Sequence, residues 1–256
     1  MKKFILTSLV AIFLLFCGTS FAADVTPVPI TAIQAFDAVQ TQIDPDSGKS
    51  ATVHLIDVRT LEEHYWVGAA CQVDTITTTE GETIVPDYGK VISALSGRYI
   101  YYKLNGRHRI LPVQAIASMA LSPIAINIPF LNWDPENENG PLVPNPEFAD
   151  KVNALASDNE KEKVVLIFFC RSGGRSQACV EGIAYDQFYA IYEIDQPDGQ
   201  SGRGGFEGTS YSNVYNGYRG YPQRWTRSQD HPSVAWKDAG LPMLTGKLIG
   251  TLPPME

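Results

Sequence analysis

Val164-Val165-Leu166-Ile167-Phe168-Phe169-Cys170-Arg171-Ser172-Gly173-Gly174-Arg175-Ser176 is the stretch that decides the fold. Its first half is an unbroken apolar run, short and rich in β-branched and aromatic side chains, which predicts a central strand buried on both faces. The run stops at Cys170. Two arginines, two serines and two adjacent glycines follow it. Residues 177–184, Gln-Ala-Cys-Val-Glu-Gly-Ile-Ala, then predict a helix. A thiol therefore stands where a strand ends, in a Gly-rich loop that feeds a helix, and in open α/β sheets that edge is where ligands bind.

The loop has its own physics. Gly173 and Gly174 let the backbone curl so that successive N–H groups point inward. A helix N-terminus adds free N–H groups and partial positive charge, and Arg171 and Arg175 add fixed cations. Everything in the loop favours an anion at its centre, and the group at its centre is Cys170. The expectation is a stabilised thiolate with a lowered pKa, a nucleophile at neutral pH.

The run Cys170-Arg171-Ser172-Gly173-Gly174-Arg175-Ser176 resembles the active-site loop of rhodanese-like sulfurtransferases. Four further stretches resemble that family in its own order. Leu55-Ile56-Asp57-Val58-Arg59-Thr60 with Glu62-Glu63 is similar to its first strand and acidic follow-on. Ala125-Ile126-Asn127-Ile128-Pro129-Phe130 is similar to its second strand. Gly205-Phe206-Glu207-Gly208 is similar to the turn after its last core strand, and Trp236-Lys237-Asp238-Ala239-Gly240-Leu241-Pro242 to its C-terminal signature. The resemblance spans about residues 50–245. It implies an α/β, rhodanese-like fold: a central, mostly parallel sheet flanked by helices. The chain departs from the pattern after Gly68. Ala69 stands where the family has a His, and residues 70–123 intervene before the second strand.

Within that insertion, residues 98–104 and 107–111 flank Asn105-Gly106, the strongest short hairpin signal. The insertion is therefore expected to be β-rich, with a short helix over residues 113–121. It is too large for a plain loop. As a lobe over the site mouth it would bring Arg107, His108 and Arg109 to an anionic substrate; as a solvated hairpin tip it would not. Elsewhere a helix is expected over 32–43, a strand over 52–59, an irregular loop over 132–146, a helix over 147–156 and a strand over 188–194. A Gly/Tyr-rich loop is expected over about 195–230.

The chain has 256 residues and a net charge of −8. Met1-Lys2-Lys3, the apolar run 4–16 and Ser20-Phe21-Ala22-Ala23 predict a secretory signal peptide over residues 1–22. The run is too short for a comfortable membrane span. A lipoprotein anchor at Cys17 is disfavoured, because Phe16 is too large for the usual small-residue position. The rest, 24–256, reads as one domain with insertions, destined for the periplasm or for secretion. Its acidity argues against nucleic acid as a partner, and no later apolar run is long enough to span a membrane. Cys71, Cys170 and Cys179 remain, an odd number that suggests one free reactive thiol, assigned to Cys170. Cys71 and Cys179 either pair or, for Cys179, pack as a small buried apolar side chain. No haem-attachment, zinc, phosphate-loop or dinucleotide pattern is present; His54, His64, His108 and His231 are scattered. No cofactor is implied.

The resemblance implies sulfur transfer. The Cys170 thiolate attacks the sulfane sulfur of a small anionic donor such as thiosulfate, sulfite leaves, and a thiol, cyanide or a protein acceptor removes the sulfur from the persulfide. Arg171, Ser172, Gly173, Gly174, Arg175 and Ser176 would bind the donor and stabilise the anions. A charged residue directly after the cysteine goes, in the family, with inorganic donors, which favours thiosulfate. Asp57 and Arg59 either form a buried ion pair that holds the fold or brace the Cys170 loop, and the resemblance favours bracing. Rival readings are a sulfur or selenium carrier, an inactive binding module, and a thiol–disulfide function using Cys71 or Cys179. Arsenate reductase or phosphatase chemistry is disfavoured, because those relatives carry one more residue between the cysteine and the arginine.

Overall fold

The computed structural model describes residues 27–93, 98–138, 140–156, 163–171, 174–179, 188–194, 205–206, 235–237 and 239–244. The expected signal peptide, most of the Gly/Tyr-rich loop, Ser172, Gly173 and the second half of the helix expected over 177–184 lie outside the described residues. Among the described residues no helix is long and apolar enough to cross a membrane.

In chain order the elements are β1 (Val28–Ile30), α1 (Ala32–Thr41), β2 (Thr52–Asp57) and α2 (Leu61–Val67). The insertion follows as β3 (Ala69–Thr78), β4 (Thr83–Ile84), β5 (Val91–Ser93), β6 (Tyr99–Leu104), β7 (Arg107–Pro112) and β8 (Ile116–Pro123). The chain returns through β9 (Ala125–Asn127), β10 (Leu131–Trp133), β11 (Leu142–Pro144), α3 (Phe148–Asn153), β12 (Val164–Phe169), α4 (Gly174–Ala178), β13 (Ala190–Ile194) and β14 (Met243–Leu244).

Every residue of β12 is buried, and each apolar side chain so placed contributes about 1.5–3 kcal/mol over an exposed one. Such a strand needs neighbours on both edges and cover on both faces. The sheet order is β1-β13-β12-β2-β9, with every neighbouring pair parallel. The α/β class with a central parallel sheet is as expected from the sequence. Alternation along β12 divides the core. Val165, Ile167 and Phe169 face one cluster with Ala35 and Phe36 of α1, Tyr192, Phe206 and Trp236. Val164, Leu166, Phe168 and Cys170 face the other, with Phe148 and Val152 of α3, Cys179 and Ile191. Helix α1 starts on a Thr31–Gln34 capping box and ends at Gln42, which is left-handed at φ 54; both ends are closed by side chain and backbone before tertiary packing adds anything.

The insertion is β-rich, as its patterning suggests, and has a core of its own in Val73, Ile76, Ile84, Val91, Ile100 and Tyr102. The Asn105-Gly106 turn joins β6 to β7 with φ values of 52 and 75, the left-handed pair a type I′ hairpin requires. The Asp87 carboxylate accepts both turn N–H groups, at 3.0 and 2.7 Å.

Two sequence expectations are corrected. Residues 113–121 are not a short helix: a 3-10 turn over Val113–Ala115 leads into β8, which pairs antiparallel with β3 from Cys71↔Pro123 to Thr78↔Ile116. The helix formers Ala117, Met119, Ala120 and Leu121 are overridden by the need of β3 for an edge partner, which local propensity cannot register. Residues 132–146 are not wholly irregular either. β10 and β11 pair antiparallel, Leu131↔Pro144 to Trp133↔Leu142. The Pro, Asn and Glu content of the connection hides two three-residue strands, Leu-Asn-Trp and Leu-Val-Pro. Boundaries elsewhere are shorter than expected: the strands over 52–59 and 188–194 are β2 and β13, and the helix over 147–156 is α3.

Candidate active site

The end of β2 and the end of β12 lie side by side. The Val58 N–H donates to the Phe169 carbonyl at 3.0 Å, so the parallel ladder continues one step into the loops. Cys170 follows at once and is 1% exposed. Its carbonyl accepts the Phe206 N–H at 2.8 Å. The residue before Phe206, Gly205, has φ +67, and a Cβ there would lie 2.5 Å from the Cys170 oxygen. Only glycine allows the two backbones to meet this closely.

On the other side of Cys170 the chain turns into α4. The Ser176 hydroxyl is 3.8 Å from the Cys170 Sγ and 3.2 Å from Glu193 Oε2. Arg175 reaches across to α2, where Nη1 and Nη2 donate to the two carboxylate oxygens of Glu63 at 2.6 and 2.7 Å. Glu63 is the third residue of α2 and the return arm of a capping box with Thr60, accepting the Thr60 N–H at 3.1 Å. One carboxylate thus closes a helix start and holds the loop arginine. Burial works against the charge on Glu63, but the hydrogen bonds and charge of Arg175 outweigh it and hold the carboxyl below its ordinary range. For Arg175 burial is likewise outweighed, by the hydrogen bonds and charge of Glu63 and then by the charges of Cys170 and Asp57, and its pKa is raised.

Asp57 and Arg59 form a fully buried pair: Nε donates to Oδ1 at 2.8 Å and Nη2 to Oδ2 at 2.6 Å. His64 Nδ1 lies 2.7 Å from the same Oδ2, and Arg59 Nη2 also donates to the Gly68 carbonyl at 2.6 Å. The guanidinium sits over the Phe206 ring at 4.1 Å, and that ring stacks on Phe169 at 6.0 Å. Burial opposes ionisation of Asp57, but the charge and hydrogen bonds of Arg59, followed by His64, hold its pKa low. The pair is thus an ion pair inside the fold, packed on the ring of Phe206, whose N–H meets the Cys170 carbonyl.

The structure brings Cys170, Arg175 and Ser176 together, and Phe206 links Arg59, and so its partner Asp57, to the Cys170 carbonyl. Arg171 is half-buried beside Cys170, and Gly174 opens α4. Ser172 and Gly173 lie outside the described residues. Cys71, Cys170 and Cys179 are all buried and none forms a disulfide, so Cys71 and Cys179 do not pair. Burial pushes the Cys71 thiol up to about 11, and the Cys179 Sγ donates to the Ser176 carbonyl at 2.9 Å. Among the described residues no group of His, Cys, Asp and Glu could hold a metal ion.

Four contributors, Glu63, Glu193, Gly205 and Phe206, are given no site role by the sequence analysis. Glu63 carries a readable signal, since Thr60 and Glu63 have capping-box spacing. Glu193 carries another, as a lone acid in an otherwise apolar strand. The roles of Gly205 and Phe206 depend on a contact between distant loops, and no local pattern predicts it. Compared with known proteins, the chain matches no family model, and no curated protein is significantly similar to it.

Proposed function

We propose that the protein is a rhodanese-like sulfurtransferase that carries sulfane sulfur on Cys170. The observation that carries this reading is the position of Cys170, at the carboxyl end of the central parallel strand with a hydroxyl at 3.8 Å and with Arg175 anchored to Glu63 on the neighbouring helix. Four residues separate the cysteine from that arginine, the loop length of the sulfurtransferases in the resemblance above.

In the proposed reaction the Cys170 thiolate attacks the outer sulfur of thiosulfate or a similar donor. A new S–S bond forms, the donor's S–S bond breaks, and sulfite leaves with the bonding electron pair. A thiol, cyanide or a protein acceptor then takes the sulfur and releases the Cys170 thiolate. This is covalent, two-step chemistry. Arg171 and the loop N–H groups would bind the donor's anionic end, while Arg175, its guanidinium shared with Glu63, adds positive charge. The near-complete burial of Cys170 favours a small inorganic donor over a bulky one. The N-terminal pattern of the sequence supports export, to the periplasm or outside the cell.

Intact mass of the purified protein, before and after thiosulfate and then after cyanide, tests the reading. The expected result is a gain of one sulfur atom, lost again to cyanide and absent in Cys170→Ala. No gain would overturn thiosulfate as the donor, and an equal gain in Cys170→Ala would overturn Cys170 as the carrier.

A further inference from the structure

Charge is spread unevenly along the chain. The protein is acidic, with a net charge of −8, yet residues 88–133 hold no Asp or Glu and five basic residues, Lys90, Arg98, Lys103, Arg107 and Arg109. Three of these stand on the β6–β7 hairpin of the insertion, Lys103 on β6 and Arg107 and Arg109 on β7. Among the described residues no carboxylate pairs with any of the three. Asp87, at the tip, has its two oxygens committed to the N–H groups of Asn105 and Gly106. The same hairpin exposes apolar surface: Tyr101 is 45% and Ile110 59% exposed, and the two stand directly opposite each other across the ladder. Tyrosine and arginine around an exposed apolar pair is the composition of protein–protein contact surfaces.

The hairpin also ends a sheet. The order is β5-β6-β7, and among the described residues no strand pairs with the outer edge of β7. In a two-residue hairpin the residues that flank the turn, here Leu104 and Arg107, form a hydrogen-bonded pair. Arg107 and Arg109 therefore turn their backbone groups toward β6, and His108 and Ile110 turn theirs outward. The side chains alternate as well. Arg107 and Arg109 lie on the face of Tyr102, and His108 and Ile110 on the face of Tyr101. A strand added at this edge would meet backbone N–H and C=O groups in its plane, two arginines on one face and the Ile110–Tyr101 pair on the other.

We propose that β7 is a docking edge for an extended acidic segment of a partner protein, one in which acidic and apolar side chains alternate. Backbone hydrogen bonds to His108 and Ile110 would supply the strand addition, and the side chains of alternate faces the selectivity. The charge on the edge also selects the occupant. The antiparallel register that joins His108 of one copy to Ile110 of a second sets Arg109 against Arg109, and like charges directly opposite each other are destabilising. A basic edge thus turns away its own copy and accepts a segment of opposite sign. The surface uses no residue of the Cys170 loop, so the proposal stands apart from the reading of that loop as a sulfur carrier.

The test is fluorescence anisotropy of a short labelled peptide of alternating glutamate and valine, titrated with the whole protein. Saturable binding is expected, weakening as salt is raised. The Arg107→Gln/Arg109→Gln variant should bind about 2- to 30-fold more weakly, the loss of two exposed ion pairs, with cooperative thermal unfolding as the check on fold. Methylation of alternate backbone nitrogens of the peptide should abolish binding in one phase and spare it in the other, which tests the edge on the unaltered protein. Absence of saturable binding overturns the proposal, as does an unchanged affinity in a folded Arg107→Gln/Arg109→Gln variant. Equal binding of a peptide with its glutamates and valines in separate blocks overturns strand addition in favour of charge alone. Dimerisation of the free protein by light scattering, abolished in Ile110→Lys, would assign the edge to a second copy and overturn the acidic partner. Co-sedimentation with phosphatidylglycerol vesicles without peptide binding would assign it to a membrane surface and overturn the proposal likewise.

Discussion

Arg175 gives both terminal nitrogens of its guanidinium to the two carboxylate oxygens of Glu63, at 2.6 and 2.7 Å, across 112 residues of sequence. The pair ties the Cys170 loop to the first turn of α2, and planar two-point pairing of this kind is the strong form of a charge-assisted hydrogen bond. It is partly buried, with side chains 21% and 27% exposed, so solvent screens it only in part.

A double-mutant cycle on Glu63→Gln and Arg175→Gln should therefore give a coupling of about 1–2 kcal/mol in urea unfolding, well above the limit of about 0.5 kcal/mol within which independent sites add. Additive effects of the two substitutions would mean that the pair does not bind the loop to α2. Arg175→Lys should recover little, because an ammonium cannot reproduce the fork.

Asp57→Asn keeps the shape of the side chain and removes the charge that faces Arg59. Both side chains are fully buried, and the guanidinium would be left without its counter-ion beneath Phe206. Breaking a buried pair from one side costs about 3–5 kcal/mol, whereas replacing both members with apolar groups is often close to neutral. Urea midpoints should thus rank the Asp57→Leu/Arg59→Met double variant above Asp57→Asn. The reverse order would show that the hydrogen bonds to Gly68 and His64, rather than the charge pair, hold this corner.

The contrast between residues that sequence located and residues it missed has a physical basis. Val164–Phe169 was legible because a short β-branched and aromatic run has few stable placements other than a central strand, and Asn105-Gly106 was legible because few other dipeptides take two left-handed residues in succession. Cys170, Arg175 and Ser176 could be read as a group because they share one loop. Glu63, Glu193, Gly205 and Phe206 join that loop from α2, from β13 and from the turn that follows it, and the contacts that make them relevant exist only after the sheet forms. Residues 113–121 misled for the same reason: their composition suits a helix, and only the partnership with β3 makes them a strand.

The acid limb of stability should follow Asp57 and Glu63. Both carboxyls are held below their ordinary values of 3.8 and 4.5, against burial, by Arg59 and His64 in one case and Arg175 in the other. A folded-state pKa below the unfolded one means that the unfolded chain binds more protons in the window between them, so stability rises with pH there. The contribution is complete above the ordinary carboxylate range and is lost as pH falls through the folded values. Unfolding free energy should be level on this account near neutrality and fall below about pH 4. Asp57→Asn should be less stable throughout but show a shallower acid slope. An equal slope in the two proteins would show that Asp57 does not contribute to the acid transition.

Gly205→Ala separates the needs of the loop from the needs of the fold. The added Cβ would lie 2.5 Å from the Cys170 carbonyl oxygen and 3.0 Å from the carbonyl carbon and oxygen of Arg171, all backbone atoms, on a residue at φ +67. Something must move, and the Phe206 N–H bond to the Cys170 carbonyl lies directly in the way. Gly106→Ala is the matched control: its φ is +75, but nothing lies within 4 Å of the new carbon, so it carries only the left-handed strain of about 1–2 kcal/mol. Both variants should lose that much stability, and Gly205→Ala more. They should part over Cys170: a displacement near 1 Å at a reacting group can cost about 100-fold in rate, so alkylation and persulfide formation should drop steeply in Gly205→Ala and hold in Gly106→Ala. Wild-type reactivity in Gly205→Ala would mean that the close contact between the turn and the loop does not position the cysteine. An equal drop in both variants would mean that reactivity follows global stability rather than the placement of the loop.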